Sequence, residues 1–389
     1  MEPASYASSI AGQLEAIVEL TGRLVAIESP TDDPDGVAAV SEAVGQAARE
    51  AGCEVTLRPL DGCGPLLDAR VQIGDGATVL ILGHADTVWP VGTVASWPFR
   101  CDSGWLSGPG VGDMKCCLAT AIHAIAALAR ARPPGLGTVR LLVVPDEQRG
   151  STISRPIIEQ AARAADACLV LEAARPGGGI VTGRGAVGSM RILATGRGRH
   201  VTDPGERASA LSPLAALVAP IEALSLAEGA LASVGRLIAG TSRQIVPERG
   251  ELLVDLRAPS SPAAEQLAEA VRALAAATPR AAGVEISVEG GLTRPAWPRD
   301  AGSLALYALA ETAATALDTR VHELTERGGS DASLAGATGM PTLDGLGPIC
   351  HHSCSRDERV EISSIPVWGA ILASVAASAG ARPCAASRA

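Results

Sequence analysis

The feature that most constrains the fold is a regular alternation of short apolar runs with helical patterns in the first 182 residues. The runs at 78–82, 138–144 and 167–171 are almost wholly apolar, as is typical of strands buried on both faces of a parallel sheet. Two further strand-like runs and four helical patterns surround them, at 54–58 and 69–73, and at 9–28, 37–51, 116–131 and 154–164. This alternation predicts an α/β fold built on an open, mostly parallel sheet.

The pattern changes at about residue 183. Beyond it lie two half-exposed strand patterns and two helical patterns with fewer buried runs, at 187–195 and 251–257, and at 210–227 and 262–277. The earlier pattern returns with helices at 302–317 and 333–338, on either side of a glycine-rich turn at 327–330. We therefore predict a catalytic domain made of 1–182 and 294–389, interrupted by an inserted α+β domain at 183–293.

Charge and hydropathy narrow the classes of partner. The formal net charge is −10, which disfavours nucleic acid because phosphate binding needs a basic face. The longest uncharged stretch, 362–380, contains serine, proline and glycine, and is predicted to be a buried C-terminal helix rather than a membrane span. The N-terminus lacks a basic n-region, and the nine cysteines show no CxxC spacing. We therefore expect a cytoplasmic protein with free thiols and no membrane partner.

Polar side chains follow the ends of the three most apolar runs. His84 and Asp86 come after the first run, Glu147 after the second, and Glu172 directly after the third. Ligands of open α/β sheets bind at the carboxyl edge of the strands, so these side chains are candidates for a site. Each has an ordinary alternative, since such residues also occur as surface polar groups or at the starts of helices.

Two further segments add candidate ligands. A glycine-rich loop at 108–112 leads to Asp113, which is either a helix N-cap or a carboxylate that bridges two cations. His351 and His352 lie between Cys350 and Cys354, in a spacing that fits no zinc-finger pattern. Taken together, His, Asp, Glu, Glu and His on successive loops are the ligand set of a two-zinc hydrolase.

The order and context of these motifs resemble the zinc aminoacylase/carboxypeptidase family, which contains bacterial glutamate carboxypeptidase, acetylornithine deacetylase and succinyl-diaminopimelate desuccinylase. The glutamate carboxypeptidase branch is the most similar, through the context at 86–88 and 97–99. The matching segments span almost the whole chain, at 82–88, 108–115, 145–151, 196–200, 246–257 and 328–332. The resemblance implies a metal-binding catalytic domain and an inserted lid domain through which two subunits form a homodimer.

The resemblance also implies roles at the metal centre. His84 and Glu172 would bind one zinc ion, and Asp113 would bridge it to a second. Asp86 would orient His84, and Glu147 would be the general base for the attacking water. Co²⁺ or Mn²⁺ are alternatives to zinc, with one or two ions per subunit.

Four other positions match where the family contacts its substrate. The resemblance implies that His200 of the inserted domain reaches the active site of the other subunit and stabilises the oxyanion. It places Arg257 where the family holds a substrate carboxylate, and Gln244 where the family usually has an asparagine that contacts the oxyanion or the carboxylate. Arg327 is a further candidate, because the planar guanidinium suits a carboxylate.

The chain departs from the family around the second ion. Gln148 stands where the family has a glutamate ligand, and a neutral amide is a poorer zinc ligand than a carboxylate. The family's last histidine ligand corresponds best to His352 and next to His351, in a loop that is one or two residues longer than usual. Cys350 or Cys354 could supply a thiolate instead, although cysteines with no role in metal binding are the more common case. We therefore predict that the site of the second metal ion is remodelled relative to the family pattern.

The sequence predicts a metal-dependent hydrolase that cleaves an amide or peptide bond in a small, carboxylate-bearing or dipeptide-like substrate. One alternative is a specialised biosynthetic enzyme of the same fold that uses one metal ion for deprotection or amide transfer. Another is a homologue that binds a ligand without turnover. The number of bound metal ions would distinguish the hydrolase from the one-metal enzyme. Product formation would distinguish both from a homologue that only binds a ligand.

Overall fold

The computed structural model describes residues 2–224 and 229–380. In that part of the chain the helices are α1 (Pro3–Ala11), α2 (Leu14–Ala26), α3 (Pro34–Glu50), α4 (Thr93–Ser96), α5 (Cys116–Ala131), α6 (Arg155–Arg163), α7 (Leu211–Glu222), α8 (Ser261–Ala277), α9 (Ala301–Ala316), α10 (Ala332–Gly336) and α11 (Ser364–Gly380). The strands are β1 (Glu54–Arg58), β2 (Leu66–Gln72), β3 (Ala77–His84), β4 (Arg100–Asp102), β5 (Trp105–Ser107), β6 (Leu136–Val144), β7 (Ala167–Val170), β8 (Gly179–Arg184), β9 (Ala186–Thr195), β10 (Leu231–Ala239), β11 (Arg249–Ala258), β12 (Glu285–Arg294), β13 (His322–Glu326), β14 (Thr342–Leu343), β15 (Cys350–His351) and β16 (Arg359–Glu361).

The chain divides into two compact units. The first is drawn from Met1–Gly183, Arg299–Thr325 and Ser330–Ala389, and the second from Arg184–Pro298 and Glu326–Gly329. Compared with the predicted insertion at 183–293, the second unit also takes in 294–298 and 326–329. Backbone hydrogen bonds hold these segments there, because the N–H of Arg184 donates to Trp297 and that of Gly185 donates to Glu326.

The first unit is built on a six-stranded sheet in the order β1-β2-β6-β3-β7-β14. The pairs β6–β3, β3–β7 and β7–β14 are parallel, whereas β1 and β2 extend the sheet in antiparallel fashion. The predicted α/β class with a mostly parallel sheet is confirmed. The central strand β3 is buried from Val79 onward, because α11 packs against it in one apolar core. Its carboxyl end, at His84, is where the candidate ligands begin.

A second, smaller sheet carries the loop that follows β15. Its order is β15-β16-β5-β4, and Val360 of β16 pairs with Leu106 of β5. These strands have two or three residues each and were not predicted, because such short segments carry no readable hydrophobic period. The sheet fixes both ends of the loop 352–358.

The second unit contains a four-stranded antiparallel sheet in the order β10-β11-β9-β12. Helices α7 and α8 pack against it and enclose a separate apolar core that includes Met190, Leu214 and Leu267. Strands β10 and β12 were not predicted, because their exposed edge positions weaken the apolar pattern. The unit has the predicted α+β character.

Two predicted helices differ at their boundaries. The helix expected at 9–28 is α2, which begins at Leu14 and is preceded by the separate helix α1. The helical conformation is interrupted at Gly12, the C-cap of α1, although Tyr6 and Ile10 of α1 belong to the same core as α2. The helix expected at 210–227 ends at Glu222 as α7, and 225–228 lie outside the described residues.

The predicted C-terminal helix is present as α11, and most of its described side chains are buried. Among the described residues, one helical segment is long and apolar enough to cross a membrane on length and composition alone, Val111–Ala131. Within it, 83% of the most apolar 18-residue window is buried inside the protein, as in a core helix.

Gly76 permits a close backbone approach at the opposite edge of the sheet from His84. A Cβ atom added there would overlap the backbone carbonyl of Gly135. We expect Gly76→Ala to lower the free energy of unfolding by about 1–3 kcal/mol, because backbone cannot move aside as a side chain can. Gly12→Ala is the control, since its Cβ would meet nothing closer than 3.6 Å. Equal denaturant midpoints for the two variants would contradict this prediction.

Candidate metal centre

Three predicted ligands meet at the carboxyl edge of the sheet. His84 ends β3, Asp113 lies in the turn before α5, and Glu172 follows β7. One ligand atom from each lies within 4.8 Å of the other two. The Nε2 atom of His84 is 2.9 Å from Oδ1 of Asp113 and 4.0 Å from Oε1 of Glu172. These separations suit donors that surround one ion.

The ring of His84 is held with Nε2 facing the two carboxylates. Its Nδ1 atom lies 2.9 Å from the backbone carbonyl oxygen of Asp86. A carbonyl can only accept, so Nδ1 carries the proton in this contact, and Nε2 of a neutral ring is left to bind an ion. This is the usual way in which a neighbouring group fixes the tautomer of a metal-binding histidine.

His84 and Asp113 shift each other's pKa. Burial lowers the pKa of His84, but Asp113 and Asp86 raise it more, and the net pKa is well above the usual range. Burial raises the pKa of the Asp113 carboxyl, but the hydrogen bond and charge of His84, together with hydrogen bonds from Cys354 and Gln148, outweigh this and bring the pKa to about 2. Without an ion, a proton on His84 therefore balances the carboxylate of Asp113.

The carboxylate of Asp86 connects His84 to the loop after β6. Its Oδ1 atom is 3.4 Å from Nδ1 of His84 and accepts from the backbone N–H of Glu147 at 3.1 Å. Its Oδ2 atom accepts from the N–H of Gln148 and from the hydroxyl of Thr31. Asp86 is fully buried, so one side chain fixes both the ring and the start of the next loop.

Glu147 lies beside the three ligands. Its Oε2 atom is 3.9 Å from Nε2 of His84, and the residue is buried in a short 3₁₀ turn. A carboxylate at this distance is too far for a direct hydrogen bond with the ring but can reach a water molecule held between them. The arrangement is suited to a general base.

The second oxygen of Asp113 faces a different pair of side chains. Oδ2 accepts from the amide Nε2 of Gln148 at 3.1 Å and from Sγ of Cys354 at 2.9 Å. Gln148 is therefore beside the cluster, as predicted, although its role as a ligand stays a prediction. Asp113 presents one oxygen to His84 and the other to Gln148 and Cys354.

Glu358 is a buried acid that the sequence analysis did not assign. Its carboxylate accepts from the backbone N–H groups of Gly112, Asp113 and Cys354. Burial and the Asp113 charge raise its pKa to about 7, against the lowering effect of these hydrogen bonds. The only available signal was that Glu358 is the acidic residue just before the 360–362 run. Glu358 thus connects the loop of Asp113 to the loop of Cys354 through these hydrogen bonds.

Neither predicted histidine of this loop meets the three ligands. Nε2 of His351 lies 2.7 Å from Oε1 of Glu361, and the ring packs edge-on against Trp105. His352 is exposed and takes a positive φ of 56°. The part of the loop that reaches Asp113 is Cys354.

The remaining predicted residues lie in the second unit, where they form two pairs. His200 pairs with Ile245 as an isolated bridge, and the N–H of Val201 donates to the carbonyl of Gln244. The guanidinium of Arg257 makes a two-point ion pair with Asp255 and also donates to the backbone carbonyl of Arg327. Gln244 accepts from Ser242 through its side chain.

The donor set fits a zinc ion by its chemistry. Imidazole nitrogen and carboxylate oxygen are common zinc ligands, and three protein ligands beside a carboxylate base are typical of catalytic zinc sites. The contact between Asp86 and the far nitrogen of His84 supplies the outer support that such ligands usually have. An α/β domain with this cluster at its strand ends is the arrangement expected of a metal-dependent hydrolase.

Comparison with known proteins gives the family. The chain belongs to peptidase family M20/M25/M40, whose profile matches residues 80–378. It is thereby a metal-dependent hydrolase of amide or peptide bonds. The suspected relationship to zinc aminoacylases and carboxypeptidases is confirmed.

Named relatives cover most of the chain. Carboxypeptidase G2 from Pseudomonas sp. (strain RS-16) is 27% identical over 365 residues, which are 90% of this chain and 86% of the relative. A succinyl-diaminopimelate desuccinylase from Paracoccus denitrificans (strain Pd 1222) is 30% identical over 303 residues, 71% of this chain and 78% of the relative.

Solved structures share the fold. The M20 family metallo-carboxypeptidase Sso-CP2 from Sulfolobus solfataricus superposes with a TM-score of 0.76 at 16% identity, covering 95% of this chain and 99% of that one. The YXEP protein of Bacillus subtilis, a dinuclear metal binding peptidase of the same family, gives 0.66 at 16% identity, covering 96% and 99%.

Proposed function

We propose that the protein is a zinc-dependent carboxypeptidase or N-deacylase that hydrolyses an amide bond next to a free carboxylate in a small substrate. The observation that carries this proposal is the meeting of His84, Asp113 and Glu172 beside Glu147. The names of the relatives, a carboxypeptidase and desuccinylases, support the same substrate class. Cobalt or manganese are alternative ions with similar ligand preferences.

The chain's own residues have separate tasks in this reaction. When bound, the ion lowers the pKa of water in its shell and polarises the substrate carbonyl. Glu147 accepts the proton of the attacking water and passes it to the leaving amine. Asp86 holds His84 in its tautomer and fixes the backbone that carries Glu147. Preorganised groups of this kind lower the barrier because they need not reorient during the reaction.

We assign substrate contacts to the second unit on the family resemblance. His200 would donate to the developing oxyanion from the partner subunit of a homodimer, and Gln244 lies next to it on the neighbouring segment. Arg257 and Arg327 would hold the substrate carboxylate, and Asp255 forms a two-point ion pair with the guanidinium of Arg257. The second unit would act as the dimerisation lid, and the enzyme would work in the cytoplasm without membrane or nucleic-acid partners.

Metal removal tests the proposed function. Dialysis against a chelator should reduce hydrolysis of N-acyl amino acids and dipeptides to the level of the buffer blank, and zinc should restore it. Matched substrates with a carboxamide in place of the free carboxylate are the control and should be poor in either state. Undiminished turnover by protein that mass spectrometry shows to be free of metal would overturn the proposal.

Zinc binding should depend on pH with a defined sign. Because the pKa of His84 is raised, its ring is protonated in the metal-free protein at neutral pH, and an ion must displace that proton. We expect zinc affinity to increase with pH until the pH passes the raised pKa of His84. Calorimetric titration at pH 7 in two buffers of different ionisation enthalpy should report proton release. Identical heats in both buffers would contradict this prediction.

A further inference from the structure

A second cluster of donors lies on the far side of Asp113 from His84. The side chains of Gln148 and Cys354 both contact Oδ2, whereas Oδ1 is directed to His84. A carboxylate whose two oxygens face two different donor sets is placed to bridge two ions. The structure therefore supplies a place for a second ion without either histidine of the loop.

We propose that Cys354 binds this second ion as a thiolate, together with Oδ2 of Asp113 and the amide oxygen of Gln148. The proposal rests on the metal centre proposed above, because the two ions share Asp113. Thiolate sulfur is among the strongest zinc ligands in proteins. The amide of Gln148 would present its oxygen after a half-turn about its terminal bond, which ordinary side-chain freedom allows.

The distances are close to those that a shared ion requires. Two ligand atoms of one tetrahedral zinc ion lie about 3.5 Å apart, given bonds of about 2.0–2.3 Å. Sγ of Cys354 and Nε2 of Gln148 are 2.9 Å and 3.1 Å from Oδ2. A side-chain movement of about half an ångström would open this space for the ion. Cys354 is exposed, so an ion can enter from solvent.

Two sets of contacts anchor the loop that carries Cys354. Glu358 accepts from the N–H of Cys354 and from those of Gly112 and Asp113, which ties the two loops together. Two residues beyond Cys354 in the same loop, the guanidinium of Arg356 lies 5.5 Å from the ring centres of both Trp89 and Trp97. A thiol held at a fixed position beside Asp113 needs little reorganisation to bind an ion.

Charge and register agree with this assignment. Relative to the pattern that the sequence resembles, the exchange of glutamate for Gln148 removes one negative charge, and a Cys354 thiolate in place of a neutral histidine restores it. Cys354 lies two residues beyond His352, so the extra length noted in this loop disappears when Cys354 takes the ligand position. The charge lost at Gln148 is then regained at Cys354, so the two differences from the family pattern compensate each other.

Cobalt substitution tests the proposal by spectroscopy. Metal-free protein kept reduced with a phosphine should bind two cobalt ions per chain and develop a sulfur-to-cobalt charge-transfer band in the near ultraviolet. Cys354→Ser should abolish the band and weaken binding of the second ion at least about tenfold, while the first ion is retained. Cys354→His should bind two ions without the band. Cys101→Ser, at an exposed thiol in β4, is the control and should match the unaltered protein.

The outcomes separate this proposal from the proposed function. A single cobalt ion per chain, two ions without the band, or a band that survives in Cys354→Ser would each overturn the thiolate site and leave the centre at His84 standing. In the first two cases Cys354 would only donate a hydrogen bond to Asp113. Failure of the protein to bind any cobalt would overturn the thiolate site and the metal centre together.

Discussion

Glu147→Gln should lower kcat by about 100- to 10,000-fold, the range usual for loss of a general acid–base group. Glutamine fills the same space but cannot accept the proton of the attacking water. The fold at this position should be unaffected, because the backbone N–H of residue 147 donates to Asp86 whichever side chain is present. Metal content should therefore stay as it is in the unaltered protein.

The measurement pairs steady-state kinetics with metal analysis on the same preparations. Glu19→Gln makes the same chemical change at an exposed position of α2 and should leave kcat unchanged. If Glu147→Gln retained full kcat, Glu147 would not be the base. If it lost its metal together with its activity, the residue would be acting as a ligand.

Asp113→Ala should have the second large effect, on metal affinity. Removal of a residue that only supports a ligand commonly lowers metal affinity 10- to 100-fold, so we expect removal of the carboxylate that we propose as a bridge to lower it more than about 100-fold. Both oxygens of Asp113 face donors, Oδ1 toward His84 and Oδ2 toward Gln148 and Cys354. Both ions should therefore bind weakly in this variant.

Competition with a chelating dye gives the affinity of each variant. Asp61→Ala, at an exposed aspartate, is the matched control and should bind metal as the unaltered protein does. Circular dichroism checks that Asp113→Ala is folded. Tight zinc binding by the folded variant would contradict the bridging role.

The sequence could locate the part of the site that depends on buried strands. Strands β3, β6 and β7 are apolar runs in the sequence because both of their faces are covered. His84 is the last residue of β3, and Glu147 and Glu172 come shortly after β6 and β7. Since the carboxyl ends of parallel strands meet at one edge, the convergence of these side chains follows from the strand assignment alone.

The loop at 350–358 could not be predicted in the same way. It depends on strands β15 and β16, whose pairing reaches back to β5 across more than two hundred residues. Glu358 lies within a run of charged residues that resembles a solvated surface, yet it is buried and accepts hydrogen bonds from three backbone N–H groups. The sequence favoured His352 as the ligand because of its residue type, and that role stays a prediction; in the structure the residue of this loop that contacts Asp113 is Cys354.

The proposed function depends most on the first ion's site, formed by His84, Asp113 and Glu172. A crystal structure of the zinc-loaded protein, with anomalous data at the zinc edge, tests it directly. We expect an anomalous peak between Nε2 of His84, Oδ1 of Asp113 and the carboxylate of Glu172, at about 2.0–2.2 Å from each. Zinc bound elsewhere, with these three side chains left in contact only with one another, would contradict it.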